Sequence, residues 1–317
     1  MKFISVIVPF EDEFKTQLAE ITSAYDCKIT YGADRDMLAK ANIVLGNPPA
    51  DMVDKMPDLE WIQLSMAGTE PYSRPGVLRD GVMLTNVTGA FGLAISEHMV
   101  AAVTMLFKKL HLYRDNQLQS KWLDRGAVKQ IEGSTVLVVG LGDIGSNFAK
   151  RMKALGCYTI GIRRAGTDKP DYVDELYLFD KLDDVLPRAD VVALALPNTP
   201  QTAGMFSAER IAVMKDETTI VNVGRGTAID TEALCNALES GKLYAAALDV
   251  TNPEPLPSDH RLWKIENAFI TPHISGFFHL RKTYENIIGI CLENTRRFLD
   301  GGELMNIIDF RTGYRKL

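Results

Sequence analysis

The chain of 317 residues has no apolar run approaching the ~18 residues that a membrane-spanning helix needs, so it carries no sequence signal for a membrane partner. Basic residues are not in excess. With 35 Lys and Arg against 41 Asp and Glu, the formal net charge is −6, and the positive footprint that holds nucleic acid or an anionic lipid surface is missing. Cysteine is scarce: Cys27, Cys157, Cys235 and Cys291 are scattered without CxxC spacing, which excludes a disulfide framework and points to reduced thiols in a cytoplasmic protein. No His, Cys and Asp cluster has metal-ligand spacing, so no metal is expected. Low-complexity tracts and internal repeats are also absent. The N-terminal stretch Lys2–Pro9 is apolar but short. It runs into Phe10-Glu11-Asp12, where a signal peptide would need small residues, and therefore reads as a first buried strand.

What is present is a globular composition, 46% hydrophobic and 24% charged, on a chain too long for one ordinary core. Short apolar runs alternate with helix-like segments, the βαβ rhythm of parallel, doubly wound sheets. Strands are expected at Phe3–Val8, Cys27–Tyr31, Ile43–Leu45, Trp61–Leu64 and Met83–Thr85, with a helix over Glu11–Tyr25. One long helix is expected from Ala94 to Arg114, then a polar excursion, Asp115–Ile131, whose one large apolar residue is Trp122. A second lobe follows, with strands at Thr135–Val139, Tyr158–Arg163, Val191–Leu196, Thr219–Val223, Tyr244–Asp249 and Ala268–Thr271. Helix Arg281–Leu299 and a polar tail, Asn306–Leu317, close the chain. Two such lobes suggest a ligand cleft between them.

Gly140-Leu141-Gly142-Asp143-Ile144-Gly145 is a GxGxxG turn, fed by the apolar run Val136–Val139 and followed by an amphipathic helix carrying Phe148, Ala149, Met152 and Leu155. That context makes a common pattern specific for a dinucleotide. Gly140 allows the tight turn, Gly142 the approach of backbone to a pyrophosphate, and Gly145 close packing of helix on strand, while helix N–H groups face the anion. An NAD site usually presents a carboxylate about 20 residues on, for the ribose 2′-hydroxyl. Here the next strand ends in Arg163-Arg164, and two guanidiniums suit a 2′-phosphate. NADP is therefore expected, with NAD as the alternative if Asp168 or Asp171 reaches the ribose instead.

From this turn onward the chain resembles the D-isomer-specific 2-hydroxyacid dehydrogenase family. The resemblance rests on an ordered series of motifs: Leu194-Ala195-Leu196-Pro197-Asn198-Thr199-Pro200-Gln201-Thr202, Val221-Asn222-Val223-Gly224-Arg225-Gly226, Ala247-Leu248-Asp249-Val250 with Glu254-Pro255-Leu256, and Thr271-Pro272-His273-Ile274-Ser275-Gly276. It covers residues 133–280 and, more loosely, Ser65–Gly68 and Asn86–His98. The resemblance implies two doubly wound α/β domains, a Rossmann dinucleotide domain at 99–284 inserted into a substrate domain at 1–98 plus 285–317. It also implies hydride transfer between NAD(P)H and a small 2-keto acid, giving a D-2-hydroxy acid, in a homodimer. By the same resemblance His273 is the proton donor, Glu254 orients it, and Arg225 holds the substrate carboxylate. Pro197, Thr202 and Val223 join Asp143 and Ile144 around the dinucleotide, and Asp249 binds the nicotinamide carboxamide or helps to order the site.

The chemistry requires such a set. A hydride arriving on a ketone carbon needs a proton for the developing alkoxide, and histidine, with an ordinary pKa of about 6.5, can exchange one near neutrality. A planar guanidinium suits both the carboxylate and the polarised carbonyl. Met66, Ala67 and Gly68 occupy the place of the family's substrate-carboxylate loop, where successive N–H groups after a strand can face an anion. His98 reads as a packed residue, and Phe277, Phe278 and His279 as candidates for shaping the substrate pocket. Two alternatives accompany the reductase reading. One is a dinucleotide-sensing protein of the same fold. The other is a formate-dehydrogenase-like enzyme, against which Glu254 speaks because that branch pairs its histidine with glutamine.

Overall fold

The computed structural model describes every residue except Pro75, Thr312, Gly313 and Leu317. The chain begins with β1 (Lys2–Val6), α1 (Asp12–Thr22), β2 (Cys27–Tyr31), α2 (Arg35–Leu38), β3 (Ile43–Leu45), α3 (Ala50–Val53), β4 (Trp61–Gln63) and β5 (Met83–Thr85). It continues through α4 (Gly92–Phe107), α5 (Leu110–Leu118), β6 (Thr135–Val139), α6 (Asp143–Ala154), β7 (Tyr158–Arg163), β8 (Glu175–Leu178), α7 (Leu182–Val185) and β9 (Val191–Leu194). Then come α8 (Ala208–Val213), β10 (Thr218–Asn222), α9 (Thr231–Glu239), β11 (Leu243–Leu248), β12 (Ala268–Ile270), α10 (Arg281–Leu299), β13 (Ile308–Asp309) and β14 (Tyr314–Arg315).

Two parallel sheets result, as the βαβ rhythm requires. One has the order β2-β1-β3-β4-β5 and the other β12-β11-β10-β9-β6-β7-β8. In the second, the chain runs outward from β6 in both directions, so β6 and β9 flank the point where strand order reverses. Ligands of open α/β sheets sit at such a point, beyond the strand C-termini. The strands there are buried on both faces: β9, β10 and most of β6 and β11 are solvent-excluded, which explains their near-continuous apolar runs. α6 covers this sheet with Phe148, Ala149 and Met152, spaced to lie on one helical face.

The chain divides into two units, Met1–Ala90 with Phe278–Leu317, and Phe91–Phe277. The sequence expectation of boundaries at 98/99 and 284/285 would cut α4 and α10, whereas the contacts keep each helix whole. α4 belongs with the second unit because it starts hard against α6: a Cβ on Gly92 would lie 2.3 Å from Asp143 Oδ1. α10 belongs with the first, where Tyr284 meets Phe14 edge-on at 5.7 Å and Arg281 pairs with Glu11.

A buried polar relay joins the two segments of the first unit. Trp61 Nε1 donates to Thr85 Oγ1 at 2.9 Å, Thr85 donates to Gln63 Oε1 at 2.8 Å, and Asn294 Nδ2 on α10 donates to the same oxygen at 2.7 Å. Asn294 Oδ1 then accepts from Met305 N at 2.7 Å.

Three local expectations are corrected. The single helix expected over Ala94–Arg114 is two, broken at Lys109, which adopts a left-handed φ of 54°. The lysines at the break hold the returning chain: Lys108 Nζ donates to Lys129 O at 2.8 Å and Lys109 Nζ to Arg125 O at 2.7 Å. An edge strand, β8, went unrecognised because three of its residues are only half-buried, Leu178 is exposed, and Glu175 is charged. The expected polar tail contains the antiparallel pair β13–β14, with Thr312, Gly313 and Leu317 outside the described residues. No helix among the described residues is long and apolar enough to cross a membrane.

Glu175 organises the β8 edge. It accepts from Arg188 Nη1 at 2.8 Å, from Tyr158 of β7 at 2.5 Å and from Tyr177 at 2.6 Å. The Arg188 guanidinium first, then the two phenols, hold its carboxyl down at about 2. A carboxyl depressed on folding contributes stability that is full above the unfolded value near 4.5 and fades as pH falls toward 2. Urea melts of the wild type and Glu175→Gln should therefore differ most at neutral pH and converge as pH drops from 4.5 toward 2. A gap independent of pH would refute this assignment.

Candidate functional site

The glycine turn leaves β6 at the reversal point. Gly140 has φ 103°, and its N–H donates to Ile162 O at 2.9 Å. A Cβ there would meet Ala195 O at 2.5 Å, and one on Gly145 would meet Gly140 O at 2.0 Å, so both positions demand glycine for packing alone. Gly142 differs. Its φ of −83° suits any residue, and a Cβ would meet nothing within 4 Å. No intramolecular contact explains glycine there, whereas close approach of a dinucleotide does, at the N-terminus of α6. The residues present thus fit a dinucleotide. Asp143 and Ile144 form the first turn of α6, where Asn147 Nδ2 bonds to Asp143 O at 2.9 Å.

β7 ends in Arg163, whose Nε donates to Gly166 O at 2.8 Å, curling the guanidinium over the turn that also holds exposed Arg164. Beyond β9, buried Thr202 donates to Pro197 O at 2.6 Å and accepts from Thr199 N at 2.9 Å. Its side chain thereby ties the 197–202 loop. Val223, buried after β10, donates its N–H to Leu194 O at 3.1 Å and so continues the ladder.

Arg225 is set by the glycines on either side. A Cβ on Gly224 would lie 2.4 Å from Leu196 O, and one on Gly226 1.9 Å from Thr251 O. Asn222 braces the turn, accepting from Gly224 N at 3.0 Å and donating to Arg225 O at 2.9 Å. The half-buried guanidinium donates through Nη1 to Gly224 O at 2.8 Å.

His273 and Glu254 meet. Nδ1 of the histidine lies 2.7 Å from Glu254 Oε1, and the two side chains are 46% and 41% exposed, so the pair can exchange protons with water. Glu254 stands on a pinned loop: Thr231 Oγ1 donates to Asn252 O at 2.7 Å and Thr251 Oγ1 to Pro253 O at 2.8 Å. His273 has φ 55°, a conformation that histidine visits seldom.

Asp249 holds that turn. Only 2% exposed, it accepts four hydrogen bonds from the segment bearing His273: Thr271 Oγ1 at 2.5 Å, Ile274 N at 3.0 Å, Ser275 N at 3.1 Å and Ser275 Oγ at 2.5 Å. A carboxylate has about four acceptor sites, so these donors fill it. Of the two roles expected for Asp249, these bonds support the ordering of the site. Sequence reasoning passed over Thr271 and Ser275. The signal was a hydroxyl residue two positions to each side of His273.

In the first unit, Met66 and Ala67 are exposed and Gly68 is half-buried on the loop after β4. Asn86 Nδ2 donates to Ala67 O at 2.7 Å, and Asn47 Oδ1 accepts from Ser65 N at 3.1 Å, so side-chain amides fix the loop. Phe277 and Phe278 are exposed beyond the His273 turn.

Because Gly226 faces backbone and not a flexible side chain, Gly226→Ala must displace the Arg225 turn or the Thr251 strand end. Overpacking of this kind costs about 1–3 kcal/mol. The expected outcome is an unfolding free energy lower by that amount, read as a lower urea midpoint; an unchanged midpoint would show the turn to be soft.

Comparison with known proteins agrees with this geometry. Residues 100–275 match the sequence model described as "D-isomer specific 2-hydroxyacid dehydrogenase, NAD binding domain". A glyoxylate reductase of Thermofilum pendens is 29% identical over 247 residues, covering 76% of this chain and 73% of its own. Among solved structures, a D-isomer specific 2-hydroxyacid dehydrogenase family protein of Aeromonas salmonicida superposes with TM-score 0.84 at 30% identity, over 98% of this chain and 99% of that one. A D-isomer specific 2-hydroxyacid dehydrogenase of Xanthobacter autotrophicus, solved with NADPH and MES, gives 0.81 at 25% identity over 99% of each chain. A match across more than half its length, with glycine turn, Arg225 turn and His273–Glu254 pair falling inside it, places the chain in the D-isomer specific 2-hydroxyacid dehydrogenase family, and so among the NAD(P)-dependent oxidoreductases.

Proposed function

We propose that the protein reduces a small 2-keto acid of the glyoxylate or hydroxypyruvate type to its D-2-hydroxy acid, with NADPH as the preferred donor. The observation that carries this reading is the 2.7 Å contact of His273 Nδ1 with Glu254 Oε1. With Nδ1–H of the imidazolium donating a hydrogen bond to the Glu254 carboxylate, Nε2–H is left to deliver its proton to the substrate's carbonyl oxygen. Arg225 is assigned the substrate carboxylate and the polarisation of the carbonyl, and the N–H groups of Met66, Ala67 and Gly68 are candidates for binding an anion. The dinucleotide supplies the hydride to the carbonyl carbon. Glu254 stabilises the imidazolium before transfer, and exposure to water lets the histidine recover its proton afterwards.

Gly140, Gly142, Asp143, Ile144 and Gly145 are assigned to the pyrophosphate, and Pro197, Thr202 and Val223 to the loops around the dinucleotide. Arg163 and Arg164 favour the 2′-phosphate, a preference supported by the NADPH complex of the Xanthobacter relative. The four free cysteines suit a cytoplasmic setting.

Initial rates of NADPH and NADH oxidation with glyoxylate, hydroxypyruvate, pyruvate, phenylpyruvate and 2-ketoisocaproate test the reading. One charge-assisted pair to the 2′-phosphate is worth about 1.5–3 kcal/mol, so kcat/KM should favour NADPH by about tenfold or more. A preference for NADH overturns the cofactor assignment. Silence with every acid overturns the reaction, and oxidation of formate would place the chain on the alternative branch.

The segment after α5 leaves Trp122 fully exposed beside exposed Leu118 and Leu123. We assign this arm to a homodimer interface. Sedimentation should give a dimer for the wild type and a weaker one for Trp122→Ser; a monomeric wild type refutes it.

A further inference from the structure

His273 is half-exposed and stands in a loop, yet a proton donor must keep its ring within a few tenths of an ångström of a productive position. The backbone of this turn is fastened at one place. Thr271 and Ser275, two residues before and two after His273, turn their hydroxyls to the same buried carboxylate, each at 2.5 Å. Ser275 adds its N–H at 3.1 Å and Ile274 its N–H at 3.0 Å. Asp249 directly follows β11, inside the sheet core, and its own N–H donates to Asn222 O at 3.0 Å. The clamp thus transmits the rigidity of the sheet to a turn that holds a histidine at φ 55°. Behind it, His98 of α4 stands 3.5 Å from the Thr271 hydroxyl, a long contact that closes the outer side of the cluster.

Resting on the reductase reading above, we propose that Thr271 and Ser275 are positioning residues whose hydroxyls, fixed on Asp249, hold the His273 imidazole against Glu254 in the orientation that delivers the proton. A buried charge kept only for stability needs donors from any direction. Here all four side-chain acceptor sites of Asp249 are filled from the segment 271–275.

The test compares Thr271→Val, Thr271→Ser and Ser275→Ala in the full-length protein, with NADPH and the keto acid that the wild type reduces fastest. Thr271→Val keeps the side-chain shape and removes the hydroxyl; Thr271→Ser restores it. A displaced proton donor slows the chemical step without touching the dinucleotide, so Thr271→Val should lower kcat on the order of tenfold or more while the Kd for NADPH, read by fluorescence quenching, stays put. The primary isotope effect with deuterated NADPH should rise toward its intrinsic value, and Thr271→Ser should return kcat to near the wild-type level. Wild-type kcat in Thr271→Val, or a Thr271→Ser as slow as Thr271→Val, overturns the proposal. Should Thr271→Val fail to fold, Ser275→Ala decides, since it keeps the Ser275 N–H bond: reduced kcat at constant Kd supports the clamp, unchanged kcat overturns it. If the wild type reduces none of the acids, the reductase reading falls and takes this proposal with it. An active wild type with indifferent variants overturns the clamp alone.

Discussion

The carboxylate of Asp249 is the constraint on which the candidate site turns. Burying an anion costs several kcal/mol unless donors replace the water it loses. Asp249, directly after β11, lies in the core at 2% exposure and accepts four hydrogen bonds from the turn after β12. The turn therefore has one low-energy arrangement, with His273 held outward and Glu254 within hydrogen-bond reach. A charge that would weaken a core in isolation becomes the device that gives a loop the precision of a strand.

A second constraint is steric and comes from backbone meeting backbone. Gly140 approaches Ala195 O, Gly145 approaches Gly140 O, Gly224 approaches Leu196 O and Gly226 approaches Thr251 O, each at a distance no Cβ could tolerate. These contacts draw the ends of β6, β9, β10 and β11 together, so the strand C-termini form one tight edge instead of a splayed fan. The chemistry-bearing residues of the second unit all project from it. Beside these four, Gly142 is a turn glycine whose neighbours ask nothing of it, and for that reason it is the better marker of a ligand.

Legibility in the sequence followed the range of the interactions. The glycine turn could be read from the strand and helix that flank it, and the Arg225, Glu254 and His273 segments from their ordered resemblance to a family, although the contacts that fix them come from distant residues. The break at Lys109 could not, since lysine has no special tolerance for φ 54° and the carbonyls that hold Lys108 and Lys109 come 21 and 16 residues later. β8 escaped because a half-buried edge strand lacks the apolar signal of its neighbours. The protein partners of Asp249 were not legible. They lie 22 to 26 residues downstream, and nothing in the local pattern shows that a carboxylate is already saturated. That the two units keep α4 and α10 whole was not legible for a related reason: helix periodicity tells which face is apolar, not which sheet that face meets.

The Gln63–Asn294 hydrogen bond gives the chain an unusual timetable during synthesis. Gln63 emerges early and sits at 0% exposure in the finished fold, but its acceptor oxygen is completed by a residue 231 positions later. Between them the ribosome must deliver Phe91–Phe277, a unit with a core of its own. At ordinary elongation rates of roughly 5–20 residues per second, that interval is about 10–40 s. The first-made segment therefore spends this time with the surface meant for α10 uncovered, including Trp61, whose ring stacks on Phe298 at 5.1 Å only once the last helix arrives. The later-made unit can close first, and the N-terminal lobe is the client for whatever chaperones attend the nascent chain.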